Sequence, residues 1–124
     1  MKLRIRGNSV RIRVSQTALM TLAEHGVAED RVRFTPTAEL IYRVRVAPAG
    51  KVRAELDASG VTVTLPKAVL DRWLRPEEVS IRADQAIDDH ETLKILVEKD
   101  FACLVPREDE DQTDLFPNPS QQAC

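Results

Sequence analysis

The chain of 124 residues contains one pattern of about 50 residues twice, and this duplication limits the fold more than any other feature. In residues 2–14, apolar and polar side chains alternate on both sides of a Gly-Asn-Ser turn, and a stretch with helical spacing follows. Residues 53–65 repeat this alternation around an Asp-Ala-Ser-Gly turn, again before helical spacing. An offset of 51 positions aligns the copies and pairs Val10 with Val61. The pattern of the copies is therefore typical of a duplicated structural unit.

Each copy predicts the order strand, strand, helix, strand, strand, because a period of two indicates strands and helical spacing an amphipathic helix. Ser15 is a suitable N-cap for the first helix, Gly26 a suitable left-handed residue at its end, and Pro66 a suitable start for the second. Half of the chain is too small to bury both faces of four strands, so residues 2–47 and 51–98 are expected to share one core. The predicted fold is mainly β with two short helices, in a single-chain pseudo-twofold (ββαββ)×2 arrangement.

Residues 1–105 are predicted to form this duplicated domain, and residues 106–124 an acidic extended tail. The N-terminus lacks the apolar run of a signal peptide, and no segment approaches the roughly 18 apolar residues that cross a bilayer. We therefore predict a cytoplasmic protein without a membrane partner. Its two cysteines, Cys103 and Cys124, form no metal-binding or redox spacing and are expected to be reduced thiols.

Charge is distributed unequally along the chain. Residues 1–55 contain 11 Lys and Arg and 5 Asp and Glu, which gives a net charge of +6. Residues 56–124 contain 7 Lys and Arg and 15 Asp and Glu, which gives a net charge of −8. Such asymmetry indicates an anionic partner for the basic half, or docking of one half on the other.

The stretch from Arg6 to Val14, with its Gly7-Asn8-Ser9 turn, resembles the AbrB/MazE-like swapped-hairpin domains. The stretch from Val61 to Lys67 resembles the strand and Pro-Lys element of the same family. Two chains of that family usually interlock into one small barrel. Because both units lie in one chain here, the resemblance implies a single-chain pseudo-dimer with a cradle-loop-type barrel. The end of the chain, from residues 97–104 to residues 116–119, resembles the ending of a family of uncharacterised bacterial proteins, which implies no function.

In AbrB/MazE-like domains, exposed basic residues of the first hairpin touch DNA. The matching positions here form what we call the basic hairpin: Lys2, Arg4, Arg6, Arg11 and Arg13. Strand alternation places all five on one polar face, and a two-stranded ribbon of this kind fits the major groove. The resemblance thus implies an anionic partner for this hairpin, with DNA as one candidate.

The second copy argues against two equal DNA half-sites. Its equivalents of the basic hairpin are Arg53, Glu55, Asp57, Thr62 and Thr64, so the face that we expect to be exposed changes from +5 to −1. Three interpretations of the basic hairpin stay open: a DNA contact, a contact with another protein, and a solvated face that protects a sheet edge.

The tail is a candidate for binding a protein partner. It combines carboxylates with an apolar pair, at Glu108, Asp109, Glu110, Asp111, Asp114, Leu115 and Phe116. In MazE-like antitoxins an acidic C-terminal segment grips the toxin, and the layout here is similar. There are two alternatives to a binding role: the tail keeps the protein soluble, or it lies on the basic hairpin.

No phosphate loop, dinucleotide fingerprint, paired-cysteine zinc spacing or nucleophile elbow is present, so we predict neither an enzyme nor a cofactor. His90, Cys103 and Cys124 are weak candidates for metal ligands. The predicted function is a binding module, antitoxin-like or regulator-like, which is a monomer or weak homodimer with an unidentified protein partner. A metal- or ligand-binding accessory protein is the alternative.

Overall fold

The computed structural model describes residues 1–101 and 114–117, and its elements follow the predicted order. The strands and helices are β1 (Lys2–Ile5), β2 (Ser9–Val14), α1 (Gln16–His25), β3 (Val27–Thr35), β4 (Ala38–Ala47), β5 (Arg53–Leu56), β6 (Gly60–Pro66), α2 (Lys67–Trp73), β7 (Ser80–Ala86) and β8 (Thr92–Lys99). The prediction of a mainly-β chain with two short helices is confirmed.

The strands form two four-stranded sheets, and each sheet takes one hairpin from each half of the chain. The sheet that we call terminal has the order β1-β2-β8-β7, and the one that we call central has the order β3-β4-β6-β5. The hairpins within a sheet are antiparallel, whereas β2 joins β8 and β4 joins β6 in parallel. The prediction of a barrel is wrong in one respect. The backbone hydrogen bonds between the described strands stop at the edges of these two sheets, so the strands do not form a closed barrel.

The strand registers show how closely the two halves correspond. Leu3 lies opposite Ile12, and the residues 51 positions later, Ala54 and Val63, also lie opposite each other. Ala28 lies opposite Val44, and here the equivalent pair, Ile81 and Val97, lies 53 positions later. The single offset of 51 therefore holds as far as the helices, and the second copy gains two residues between its helix and its third strand.

One hydrophobic core lies between the sheets and takes residues from both halves, as predicted. Its fully enclosed members are aliphatic apart from one tryptophan, and include Ile12, Val14, Leu22, Val44, Val63, Leu65, Leu70, Trp73 and Val97. The helices contribute at equivalent positions, since Leu19 and Leu22 of α1 match Leu70 and Trp73 of α2. Burial of one such side chain stabilises the fold by about 1.5–3 kcal/mol. Because these side chains are buried partly against residues of the other half, we expect neither half to keep a stable core alone.

Side-chain hydrogen bonds join the edges of the two sheets where backbone ladders are lacking. Gln85 of β7 accepts from the Ala54 amide of β5 at 2.8 Å and donates to the Ala54 carbonyl at 2.9 Å. At the other edge, the Met1 amine lies 3.3 Å from Asp30, and the Tyr42 hydroxyl donates to the Met1 carbonyl at 3.1 Å. Burial and the nearby Asp30 carboxylate raise the pKa of Tyr42, which keeps this hydroxyl a neutral donor.

The predicted helix boundaries are confirmed at α1. The Ser15 hydroxyl accepts from the Ala18 amide at 3.2 Å, which satisfies an amide that the first helical turn leaves unpaired. Gly26 has a φ of 78° and donates to the Leu22 carbonyl at 2.9 Å, so it closes the helix in the left-handed conformation. At α2, Pro66 precedes the first helical residue in an extended conformation.

The turn between β5 and β6 provides a pH-dependent prediction. Asp57 Oδ1 accepts from the Ser59 hydroxyl at 2.6 Å, the Ser59 amide at 2.8 Å and the Gly60 amide at 3.1 Å. These bonds to Ser59 and Gly60 lower the pKa of Asp57 below its ordinary 3.8. The lowered pKa belongs to the folded state, so the stability that the carboxylate adds is present above the ordinary pKa. That stability is lost as the pH falls through the lowered value.

An NMR titration of the Asp57 carboxyl carbon should therefore give a midpoint below 3.8. Ser59→Ala removes the strongest of the three donors, so the midpoint of this variant should move back towards the ordinary value. A wild-type midpoint at or above the ordinary value would contradict this role of the turn.

Candidate anion-binding face

The structure brings the five residues of the basic hairpin together on the outer face of the terminal sheet. Lys2 lies directly opposite Arg13, and Arg4 directly opposite Arg11. Arg6 follows β1 in the turn, where its amide donates to the Ser9 carbonyl at 3.3 Å. The side chains line two adjoining shallow depressions of about 130 and 160 Å³ that share Arg4 and Arg11. Like charges directly opposite each other destabilise a strand pair, so this hairpin needs compensation from neighbouring or bound anions.

Two carboxylates, one on β8 and one just after it, supply part of that compensation. Glu98 Oε1 accepts from Arg13 Nε at 2.8 Å and lies 3.5 Å from Arg11 Nε. Asp100 Oδ2, just beyond β8, lies 2.7 Å from Lys2 Nζ. Neither residue is predicted from the sequence as part of this site, because alternation along β8 shows which face Glu98 shares but not that β8 lies beside β2.

Arg4 and Arg6 differ from the other three basic residues. Both are exposed, and neither forms an ion pair with any residue that the structure describes. The uncompensated charge of the basic hairpin therefore lies towards its Gly7-Asn8 turn.

The basic surface also continues across the sheet onto β8 and β7. In one row Arg11 lies beside Leu96, which lies beside Arg82, and in the next row Lys94 lies between Ser9 and Asp84. These residues line an open depression of about 380 Å³. Asp84 pairs with Lys94 at 3.6 Å, whereas Arg82 has no ion pair in the described part of the chain. Neither Arg82 nor Lys94 was a predicted site residue, because their place beside the hairpin depends on the exchange of hairpins between the halves.

The second copy does not form an equivalent face. Arg53 binds Glu55 at 3.0 Å, and Arg43 donates to Thr62 at 3.1 Å and lies 3.3 Å from Glu29. The expectation that Thr62 and Thr64 belong to an exposed face is wrong, since both are buried. Thr64 lies between Arg45 and Arg53, whose longer side chains flank it on the adjacent strands.

A family model matches residues 1–120 of the chain. The chain belongs to DUF7009, a family of unknown function. No curated protein and no solved structure matches it significantly.

Three of the seven predicted tail residues lie in the described part of the DUF7009 chain, where they contact the body of the protein. We call residues 114–117 the C-terminal strap. Asp114 Oδ1 accepts from the Thr17 amide at 3.2 Å and the Thr17 hydroxyl at 2.9 Å, so it places a carboxylate at the start of α1. Gln16 donates its amide to the Asp114 carbonyl at 3.1 Å and its side chain to the Leu115 carbonyl at 3.0 Å.

The other end of the strap packs beside the end of β8. The Phe116 amide donates to the Asp100 carbonyl at 2.8 Å, and the rings of Phe116 and Phe101 meet edge to face at 5.5 Å. Lys99 Nζ lies 5.4 Å from the Phe116 ring centre and donates to the Arg75 carbonyl at 2.9 Å. Burial lowers the pKa of Lys99, an effect that the nearby carboxylates of Glu77 and Glu78 oppose.

The expected apolar anchor for an outside protein is therefore not free, because Leu115 is buried and Phe116 packs on Lys99 and Phe101. The other predicted tail residues lie outside the described part of the DUF7009 chain: Glu108, Asp109, Glu110 and Asp111.

In residues 1–101 and 114–117, no group of three or more potential metal-ligand residues is found. His90 is exposed in the turn between β7 and β8, where its amide donates to Asp88 at 2.8 Å. Cys103 and Cys124 lie outside the described residues. None of the helices in these described ranges is long and apolar enough to cross a membrane.

Proposed function

We propose that this chain is a non-enzymatic binding module whose basic hairpin binds a phosphate-bearing polyanion, with duplex DNA as the leading candidate. The observation that carries the proposal is the register of β1 and β2, which places Arg4 opposite Arg11 and Lys2 opposite Arg13 on one face. Arg4 and Arg6 hold no ion pair in the described residues, so a bound phosphate would supply the counter-charge that they lack.

The shape and charge of the hairpin suit a nucleic-acid backbone. Neighbouring strands lie about 4.8 Å apart, so Arg4 and Arg11 present their guanidinium groups side by side to the same stretch of backbone. A two-stranded ribbon enters the major groove, where arginine binds guanine edges as well as phosphates. The exchange of hairpins between the halves supports the comparison with AbrB/MazE-like domains, in which the first hairpin touches DNA.

Glu98 and Asp100 limit the affinity for a polyanion that we propose for this site. They already hold Arg11, Arg13 and Lys2, and on the central sheet Glu29, Glu39 and Glu55 balance Arg31, Arg43 and Arg53. We therefore propose one basic hairpin per chain and not a symmetric pair of half-site contacts. Each phosphate that the hairpin neutralises adds about 0.9 to the slope of log affinity against log salt concentration. With few phosphates neutralised, the chain alone should bind duplex DNA weakly, and its affinity should depend only slightly on salt.

Charge reversal tests the proposal directly. An Arg4→Glu, Arg11→Glu double variant should lose polyanion binding by about two orders of magnitude at low salt, because it replaces two phosphate contacts with repulsion. Fluorescence anisotropy of a labelled duplex at several salt concentrations measures both the affinity and its salt slope. The matched control, Arg45→Glu with Arg72→Glu, makes the same charge change on β4 and α2 and should bind nearly as the wild type does.

An equal loss in both double variants would show that net charge alone attracts the duplex. Absence of wild-type binding at the lowest salt concentration would reject the proposed function.

A further inference from the structure

Asp100 connects the C-terminal strap with the basic hairpin. Its carbonyl accepts from the Phe116 amide at 2.8 Å, and its own amide donates to the Val14 carbonyl of β2 at 3.0 Å. Its carboxylate lies 2.7 Å from Lys2 Nζ, and its side chain is only 6% exposed. One residue therefore holds the strap through its backbone and a member of the basic hairpin through its side chain.

We propose that the C-terminal strap is an autoinhibitory device that controls, through Asp100, how far Lys2 is available to an anionic ligand. The inference rests on the proposed function, because the ligand whose access it controls is the polyanion of the basic hairpin. With the strap docked, Asp100 is held beside Lys2 and shielded from water. With the strap released, the carboxylate becomes hydrated and Lys2 can exchange it for a phosphate.

The physical basis is the difference between a shielded and an exposed ion pair. Charges that are partly removed from water are screened less and attract each other more strongly than exposed charges do. An ion pair that is exposed to water is much weaker, so water that reaches Asp100 weakens its attraction for Lys2. Other charged members of the hairpin do not depend on the strap in this way, since Arg11 and Arg13 pair with Glu98 inside the β2–β8 ladder.

The contacts of the strap suit a segment that can be released. The described strap holds the body through backbone bonds to Gln16 and Asp100, the Asp114 carboxylate on Thr17, and the Phe116 ring beside Lys99 and Phe101. These contacts lie at the two ends of a four-residue segment, so either end can be weakened separately by substitution. Asp114→Ala acts at α1, and Phe116→Ala acts at the end of β8.

The test measures the reactivity of the Lys2 amine and the affinity for duplex DNA in the full-length chain. Amine acylation followed by mass spectrometry gives the Lys2 rate, and fragment ions separate it from the Met1 amine, which pairs with Asp30 and serves as an internal reference. Phe116→Ala and Asp114→Ala should each raise the Lys2 rate by about threefold to fivefold, the size that one exposed ion pair allows. Duplex affinity should rise in the same two variants, and Phe34→Ala, which changes an exposed ring on β3, should alter neither quantity.

A double-mutant cycle shows whether Asp100 carries the effect. Asp100→Asn should itself raise Lys2 reactivity, and adding Phe116→Ala to it should produce no further rise. Unchanged Lys2 reactivity in both strap variants, or a Phe116→Ala effect that persists in full with Asp100→Asn, overturns the inference. Raised Lys2 reactivity without duplex binding by any variant supports the control of Lys2 and rejects only the proposed function.

Discussion

A Gly60→Ala variant is expected to lose more than about 3 kcal/mol of stability, enough to leave little folded protein in a small domain. A Cβ on Gly60 would lie 1.8 Å from the Ile41 carbonyl oxygen and 2.9 Å from the Ile41 nitrogen. Both contacts are to backbone in the parallel pairing of β4 and β6, so no side-chain rotation relieves them. The φ of 149° at Gly60 adds strain for any other residue.

Gly7→Ala is the matched control, because the same substitution meets open space at the other hairpin turn. Gly7 has a φ of 55°, and apart from its chain neighbours no described residue has an atom within 4 Å of the added Cβ, so only the conformational cost of about 1–2 kcal/mol remains. Urea denaturation followed by circular dichroism gives both free energies of unfolding. Equal losses in the two variants would mean that the approach of β4 to Gly60 does not limit the fold.

A Trp73→Ala variant is expected to lose about 3–5 kcal/mol of stability, the usual cost of removing a large buried aromatic side chain. Trp73 is 1% exposed, and its indole donates to the Val79 carbonyl at 3.1 Å. The ring therefore fills the core below α2 and also fixes the connection that leads into β7. Its equivalent in the first half, Leu22, fills the core without such a bond.

Trp73→Phe separates packing from hydrogen bonding. It keeps most of the apolar volume but leaves the Val79 carbonyl without its indole donor, so a smaller loss of about 1–2 kcal/mol is expected. Leu74→Ala, at a neighbouring side chain that is 40% exposed, should change stability by less than about 1 kcal/mol. Thermal and urea unfolding measure all three variants, and a Trp73→Ala loss no larger than that of Leu74→Ala would contradict this role of the indole.

The local elements could be predicted from the sequence because their causes are local. Alternation around Gly7-Asn8 predicts a hairpin, and Ser15 and Gly26 predict the two ends of α1. The pairing of hairpins between the halves could not be predicted in the same way. Alternation determines which face a side chain occupies, but it carries no information about which strand lies alongside.

The residues of the candidate site also fall into a group that local patterns predict and a group that they do not. The basic residues share a face because they alternate along two strands that are adjacent in sequence. Glu98 and Arg82 reach that face only through the parallel pairing of β2 with β8, which joins distant parts of the chain. Composition predicted an extended acidic tail, but Asp114 and Phe116 dock through contacts with Thr17 and Asp100 that no local pattern encodes.

The exchange of hairpins also means that the two sheets form at different times. The central sheet uses one continuous stretch, residues 27–66, and its parallel pair joins positions such as Arg43 and Thr62 that are 19 apart. The terminal sheet joins the two ends of the chain, where Arg13 and Glu98 are 85 apart. Contacts between distant positions form slowly because long loops must close first. During synthesis, β1 and β2 therefore leave the ribosome long before β8 exists, and the face with the proposed binding site is completed only after the whole central sheet has been synthesised.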